Sequence, residues 1–588
     1  MIPTGLQDWI YKLEEGEGAR WIKGILAILG LVGLALWYQV NEFKNFATVE
    51  SMDAAQVARN LAQGKGFTTD YIRPVSLYLV QEKWKADKKG DGTGSLDTPH
   101  PDLANAPVYP LFLAALMKGL PFQFEIPTGQ TFSVYQPERL IAIANQVLFF
   151  VCILLVFLLG KRLFDFTVAI MSAALMAGAD LLWKFTVSGQ STLLLMTLFL
   201  GLIWCLVVTE QNAREEKKGT GWLVAMAVLA GVLTGLGALT RYSFGWLIVP
   251  VGLYFGLFFG TRRVVLLIAA ALSFVVVMTP WVVRNYQASG TLFGVAGFAI
   301  HQEAAASGEV FSGTRLERTM TRDLEVRLNQ LELKHYIRKL LVNSAEQVQN
   351  DLPKLGGSWL TAFFLAGLLV PFVSPALSRL RMFALGCLAT LFVAQALGKT
   401  FLSTDTPVLN SENLLVLMTP VVILFGSGIF IVLLDQITFS FPPMRAWAIT
   451  GSVVVFSAPL ILTLLPPASS PHAYPPYHPP LVQHVADFMK PDELMMSDIP
   501  WAVAWYGNRQ CVWLTLDAPE KSKGSQSDFF RISDYEKPIL GIYFTPRTID
   551  ARFLSQTMTG GPEWVWSRFF MESLMRASFA RENIYKYL

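Results

Sequence analysis

The chain has 588 residues, of which 53% are hydrophobic and only 15% charged. So much apolar surface excludes a water-soluble globular protein of this size and requires a bilayer, which helices about 20 apolar residues long can span. The net charge of +3 is too small to suggest a nucleic-acid partner.

The first apolar run, 21–40, follows a polar stretch with no small-residue cleavage site, so it reads as a retained span rather than a removed signal. Next comes ESMDAAQVARNLAQGKGF, Glu50 to Phe67. Ala54, Val57, Ala58 and Leu61 repeat at helical spacing, which predicts a short amphipathic helix beside the membrane. Ser51 is placed to cap its start and Gly64 to end it, which puts Asp53 in the first turn, where the helix dipole favours a carboxylate. On local sequence alone Asp53 is equally well explained as a helix-start residue. WKADKKGDGTGSLD reads as a solvated loop. His100 and Asp102 then precede APVYPLFLAALMKGL, an apolar run containing Tyr109 that is too short to span and suits an interfacial or re-entrant helix.

Ten further apolar runs follow, near 138–160, 167–183, 190–208, 221–239, 243–260, 264–281, 357–376, 382–398, 413–435 and 446–466, for about eleven spans in all. With the N-terminus in the cytoplasm, every short cytoplasmic connection carries Lys or Arg beside a span end, among them Lys161, Arg162, Arg214, Arg262, Arg379 and Arg445. Long segments at 41–137, 282–356 and beyond 467 then share the opposite side, an arrangement that suits an enzyme working at the outer surface. The charged helical pattern LERTMTRDLEVRLNQLELKHYIRKLL reads as a solvated helix over the mouth of the protein. A proline-rich linker occupies 467–480. Residues 481–588 carry strand-like runs at Glu493–Ser497, Cys511–Thr515 and Pro538–Phe544, which predicts a small extracytoplasmic α/β domain after a transmembrane region, 1–466. Cys152, Cys205 and Cys387 lie in apolar runs, so no disulfide framework is expected. The α/β domain shows no metal-ligand spacing and no phosphate-cradling glycine loop, and the six histidines of the chain are scattered with no HExxH pattern.

Four ionisable residues fall at one level of this topology: Asp53, Lys184, Arg241 and Arg284. Cations beside a carboxylate suggest a site for an anion and a base, and arginine grips phosphate with a planar fork. Snorkelling to the interface is the alternative for each cation, and the favoured one for Lys184.

MDAAQVARNLAQGKGF, HPDLANAPVYPLFLAAL, GLGALTRYSFGWLIVP and TPWVVRNYQASGTLFG, in this order, resemble the GT-C membrane glycosyltransferases, in particular the protein O-mannosyltransferase and aminoarabinose (lipid A) transferase superfamily. The resemblance covers about the first 300 residues. It implies a polyprenyl-phosphate sugar as donor and a lipid, glycan or protein as acceptor. It also implies a catalytic acid in the first external loop, which is Asp53 here, and phosphate-binding arginines at external span ends, Arg241 and Arg284. The chain departs from the family's pattern twice. The Asp-Glu pair of many relatives is Asp53–Ala54 here, with Glu50 the nearest glutamate, so Glu50 is the second candidate base. The Arg-Tyr before the late span is Glu412–Asn413.

These readings combine into an inverting transferase at the outer face of a bacterial inner membrane. Asp53 activates the acceptor, Arg241, Arg284 and Lys184 bind the donor phosphate, and His100, Asp102 and Tyr109 face the acceptor or the cavity. His100 and Asp102 are also of the types that hold a divalent metal, or simply cap the next helix. A lipid-linked sugar transporter and an inactive assembly protein are the competing classes. A transporter should show internal repeats, and none is visible.

Overall fold

The fold is described from a computed structural model, which covers residues 17–87, 94–127, 132–301, 313–320, 332–370, 374–398, 413–438, 441, 443–465, 476–516, 527–560 and 564–579. Glu412 and most of the proline linker lie outside the described residues; where the linker ends, Pro479 and Pro480 open a helix, Pro479–Ala486, at the positions where proline's missing N–H costs nothing.

The chain is a polytopic helical protein. Eight described helices are long and apolar enough to cross a membrane, and up to ten if each of two bent pairs counts as one span. The expected eleven are not reached, for local reasons. Run 167–183 is broken into Phe166–Ala177 and Asp180–Val187, bent by 53°. Run 243–260 is a short helix, Tyr242–Phe258, that begins as a 3-10 turn. Run 357–376 yields only Trp359–Leu369, which turns 110° away from Leu333–Lys354.

The three strand-like runs form strands β2 (Leu494–Ser497), β3 (Cys511–Trp513) and β4 (Ile539–Tyr543). The sheet has a fourth member that its sequence gave no reason to expect. Strand β1, Tyr71–Ile72, comes from the first long segment and pairs in parallel with Cys511 and Val512, giving the order β1-β3-β2-β4. A two-residue strand has no readable alternation, so only its partner defines it. The second long segment joins the same body: Arg318 Nε donates to Leu514 O at 2.6 Å, and Met320 N donates to Asp528 Oδ2 at 2.9 Å. Segments that touch in this way share one side of any membrane the helices cross.

The amphipathic helix expected within Glu50–Phe67, around which the cavity is organised, runs Val49–Ala62, and three expectations about it change. Its N-cap is Thr48, not Ser51, so Glu50 occupies the first turn and Asp53 begins the second. Ser51 instead bonds back to Thr48 O at 3.1 Å. The helix is not a one-sided interfacial helix, because every residue from Ser51 to Asn60 is buried. It packs against Val108–Gly119 on one side and Pro500–Gly507 on another. Burying its polar residues is tolerable because each finds a partner. Arg59 donates to Ala504 O (2.7 Å) and Trp505 O (2.9 Å), carbonyls in the last turn of Pro500–Gly507 that lack helical donors. Asn60 donates to Asp70 Oδ2 (3.1 Å). The loop read as WKADKKGDGTGSLD is helical at its start, because Pro74–Ala86 forms a helix with Pro74 at its first position.

Candidate active site

A cavity of about 380 Å³ lies where the membrane helices meet the three long segments. Its lining includes Glu50, Asp53, Arg73, Asn105, Tyr109 and Arg241. Asp53 is 2% exposed and every partner it has is a donor. Gln56 Nε2 reaches Oδ1 at 3.1 Å, while Asn105 Nδ2 (3.0 Å) and Arg73 Nη2 (2.8 Å) both reach Oδ2. Two donors share Oδ2, which leaves Oδ1 with the greater remaining acceptor capacity.

Arg73 is the principal residue that sequence reasoning missed. It lies directly before Pro74, which forces it into an extended conformation (φ −87°, ψ 127°). Its guanidinium spans two carboxylates, Asp53 at 2.8 Å and Glu317 at 2.8 Å, and lies 4.0 Å from the Tyr71 ring centroid. An arginine inside the apolar run YIRPV was the available signal. Glu317, Asn105 and Gln56 had none, because their roles depend on contacts distant in sequence.

Asn105 is held by the loop before it. Asp102 accepts from Ala104 N (3.2 Å) and Asn105 N (3.0 Å), a local turn that sets Asn105 toward Asp53. Asp102 is therefore a shaping residue and is not among the cavity-lining side chains. Arg284 serves the same loop. It donates to Asp102 O, to Asn285 Oδ1 (2.9 Å) and to Phe67 O (3.0 Å), and its guanidinium lies 4.8 Å from the Trp281 ring centroid. Arg284 is likewise not among the cavity-lining residues.

Arg241 does line the cavity, and its Nε donates to Ser191 Oγ at 3.3 Å. Lys184 is elsewhere: it pairs with Asp180 at 2.9 Å within its own short helix. Tyr109 lines the cavity and donates from its hydroxyl to Gly189 O at 2.6 Å. Gly189 has φ +72°, and a Cβ there would sit 2.2 Å from the Phe46 ring, so only glycine presents that carbonyl. His100 is fully buried, with Nε2 3.1 Å from Ser76 Oγ. Burial and the nearby Arg284 push it down to about 4, so it is neutral at pH 7, and it is not among the cavity-lining residues. Among the described residues no group of three or more His, Cys, Asp or Glu side chains is arranged to hold a metal. Asn413, the described half of the altered late motif, is buried and donates to Asp351 Oδ2 at 2.9 Å while capping Leu415 N at 3.0 Å.

Residues 132–283 match the family described as dolichyl-phosphate-mannose-protein mannosyltransferase. The matched stretch contains Arg241 and the membrane helices around it. The match covers about a quarter of the chain and makes that stretch similar to the family. The fold of the chain is also similar to that of ArnT from Cupriavidus metallidurans in the apo state (TM-score 0.49, 11% identity, 88% of this chain and 90% of that one). It is similar as well to the oligosaccharyltransferase AglB from Archaeoglobus fulgidus, solved with an inhibitory peptide and a dolichol-phosphate (TM-score 0.47, 12% identity, 84% of this chain). The chain spans 64% of that archaeal protein's length. A search of curated protein sequences finds no match.

Burial, and then the charge of Asp53, raise Asp102 to about 6 from an ordinary 3.8. The folded protein therefore keeps a proton that the unfolded chain releases between about pH 4 and 6, and stability falls as pH rises through that window. Asp102→Asn removes this dependence, worth up to ~3 kcal/mol. Thermal unfolding in detergent should show a flatter pH profile for the variant than for wild type from pH 4 to 6. His100 acts in the opposite direction in the same window but is present in both proteins, so the difference isolates Asp102. Parallel profiles would rule out a protonated Asp102.

Proposed function

We propose that this chain is a GT-C membrane glycosyltransferase that transfers a sugar from a polyprenyl phosphate to a hydroxyl of a lipid, glycan or protein at the outer face of a bacterial inner membrane, with inversion at the sugar carbon. The observation that carries the reading is one cavity lined by a buried, donor-held carboxylate, Asp53, and by Arg241. In the reaction the acceptor oxygen attacks the anomeric carbon, its proton passes to Asp53, and the bond from that carbon to the phosphate oxygen breaks. The polyprenyl phosphate leaves with both electrons of that bond. Asp53 supplies the base. Arg241 stabilises the departing phosphate oxygens. Arg73 orients Asp53 and adds positive potential between it and the phosphate. Glu50, one turn earlier and also on the cavity wall, is the second candidate base. Arg284 and Lys184 take no part in phosphate binding, since the first is committed to loop carbonyls and the second to Asp180.

The test is reconstitution in nanodiscs with a panel of polyprenyl-phosphate sugars and mass spectrometry of acceptor lipids, glycans and proteins. A transferred hexose or pentose that depends on Asp53 supports the reading. Donor binding without transfer on any acceptor would favour the inactive assembly protein, and movement of intact lipid-linked sugar across the bilayer would favour a transporter.

A further inference from the structure

The helix Leu333–Glu346 and the turns after it, to Lys354, are amphipathic in the inverted sense. Leu333, Ile337 and Leu341 fall on one stripe and are 74%, 50% and 66% exposed, and Val348, 52% exposed, continues it. Lys339, Asn343, Gln347 and Asp351 form a second stripe, each 5% exposed or less. At 3.6 residues per turn, Ile337 and Lys339 lie about 200° apart, on opposite faces. Polar residues face the protein and apolar residues face outward, the reverse of a helix in water.

The buried stripe does specific work on the late span Pro375–Gly398. Asn343 Nδ2 donates to Ala396 O at 2.7 Å, a carbonyl in that span's last turn without a helical donor. The Gln347 amide, in the orientation that satisfies both its atoms, bridges Phe392 O (3.2 Å) and Ala396 N (2.8 Å). Lys339 Nζ donates to Ile300 O at 3.1 Å, and Tyr336 OH lies 2.8 Å from His301 Nδ1. These contacts fasten the helix to the two stretches that supply Ala296, Ala299, Gln395 and Gly398 to the cavity lining. Such satisfied polar groups are what backbone at membrane depth requires. The 110° turn before Trp359–Leu369 sets the helix roughly at a right angle to an apolar helix.

We infer that Leu333–Lys354 lies in the bilayer interface, with Leu333, Ile337, Leu341 and Val348 among lipid chains, and that it backs the cavity on its membrane side. Its occupant is lipid, because the stripe is continuous in chain with the apolar helix Trp359–Leu369. Exposed Arg338 flanks the stripe as a cation suited to headgroup phosphate. This differs from the sequence reading of a solvated helix over 316–341, of which 321–331 lie outside the described residues. The charges that suggested solvent sit beside the apolar stripe or, like Lys339, inside the protein.

The test needs no sugar transfer, so its failure is distinct from failure of the proposed reaction. Spin labels are placed at Leu341→Cys and, as a water-exposed reference, at Lys490→Cys in the full chain in lipid nanodiscs; the native cysteines are buried. At 341, collisions with oxygen should exceed those with a water-soluble nickel chelate at least about threefold, and the ratio should reverse at 490. Ile337→Cys repeats the measurement should Leu341→Cys fold poorly. Nickel accessibility at 337 or 341 equal to that at 490 would overturn the inference.

Discussion

Asp53→Asn lowers sugar transfer by roughly 10²- to 10⁴-fold, the usual worth of a general base, while donor binding and the fold persist. The fold persists because asparagine keeps an acceptor oxygen for Gln56 or Arg73, and because Arg73 retains Glu317 at 2.8 Å. Donor binding persists because Arg241 reaches the cavity from a different helix end. Transfer rate and lipid-donor affinity, measured on the same preparation, separate these effects. Glu50→Gln is the paired measurement: a dead Glu50→Gln beside an active Asp53→Asn would move the base one turn earlier. Wild-type rates in both would remove the carboxylate from the mechanism.

The second large effect divides the two arginines that the sequence placed together. Arg241→Ala should weaken donor binding by about 2–5 kcal/mol, with Arg241→Lys still impaired because lysine lacks the fork. The loss of donor affinity should exceed any fall in the unfolding midpoint; the 3.3 Å bond to Ser191 Oγ is one of the contacts given up. Arg284→Ala should do the reverse. It leaves the carbonyls of Phe67 and Asp102 without their donor, so the loop that carries Asn105 loosens and the unfolding midpoint falls. Calorimetry and lipid binding on both variants read out the contrast. Equal losses of donor affinity without loss of stability would return Arg284 to the phosphate site.

That contrast shows where the sequence was legible. Hydrophobic run length located the long spans and period placed the organising helix, because both are properties of one continuous stretch. The predicted strands fell within a residue or two of β2, β3 and β4 for the same reason. Arg241 and Arg284 look alike in sequence, each a lone cation at a span end, and only the groups around them separate a cavity cation from a loop anchor. Arg73 was overlooked because its importance lies in Asp53 and Glu317, the latter more than 200 residues away. The buried faces of Val49–Ala62 and Leu333–Glu346 were misread because local polarity was taken for contact with water. Polar residues that bond to a neighbour's unpaired carbonyls look the same in a sequence as polar residues that bond to solvent.

Strand β1 has a consequence for how the protein is made. Tyr71 pairs with Cys511, about 440 residues later, and Tyr71 lies two residues from the arginine that holds Asp53. A chain emerging in order completes its membrane helices before β3 exists to receive β1. Closing so long a loop is slow, and its cost is recovered only when the sheet forms. Until then the segment carrying Arg73 lacks its strand partner, so the cavity wall around Asp53 is completed only with the final portion of synthesis. A nascent or prematurely ended chain would sit in the membrane with its spans packed and Asp53 not yet fixed.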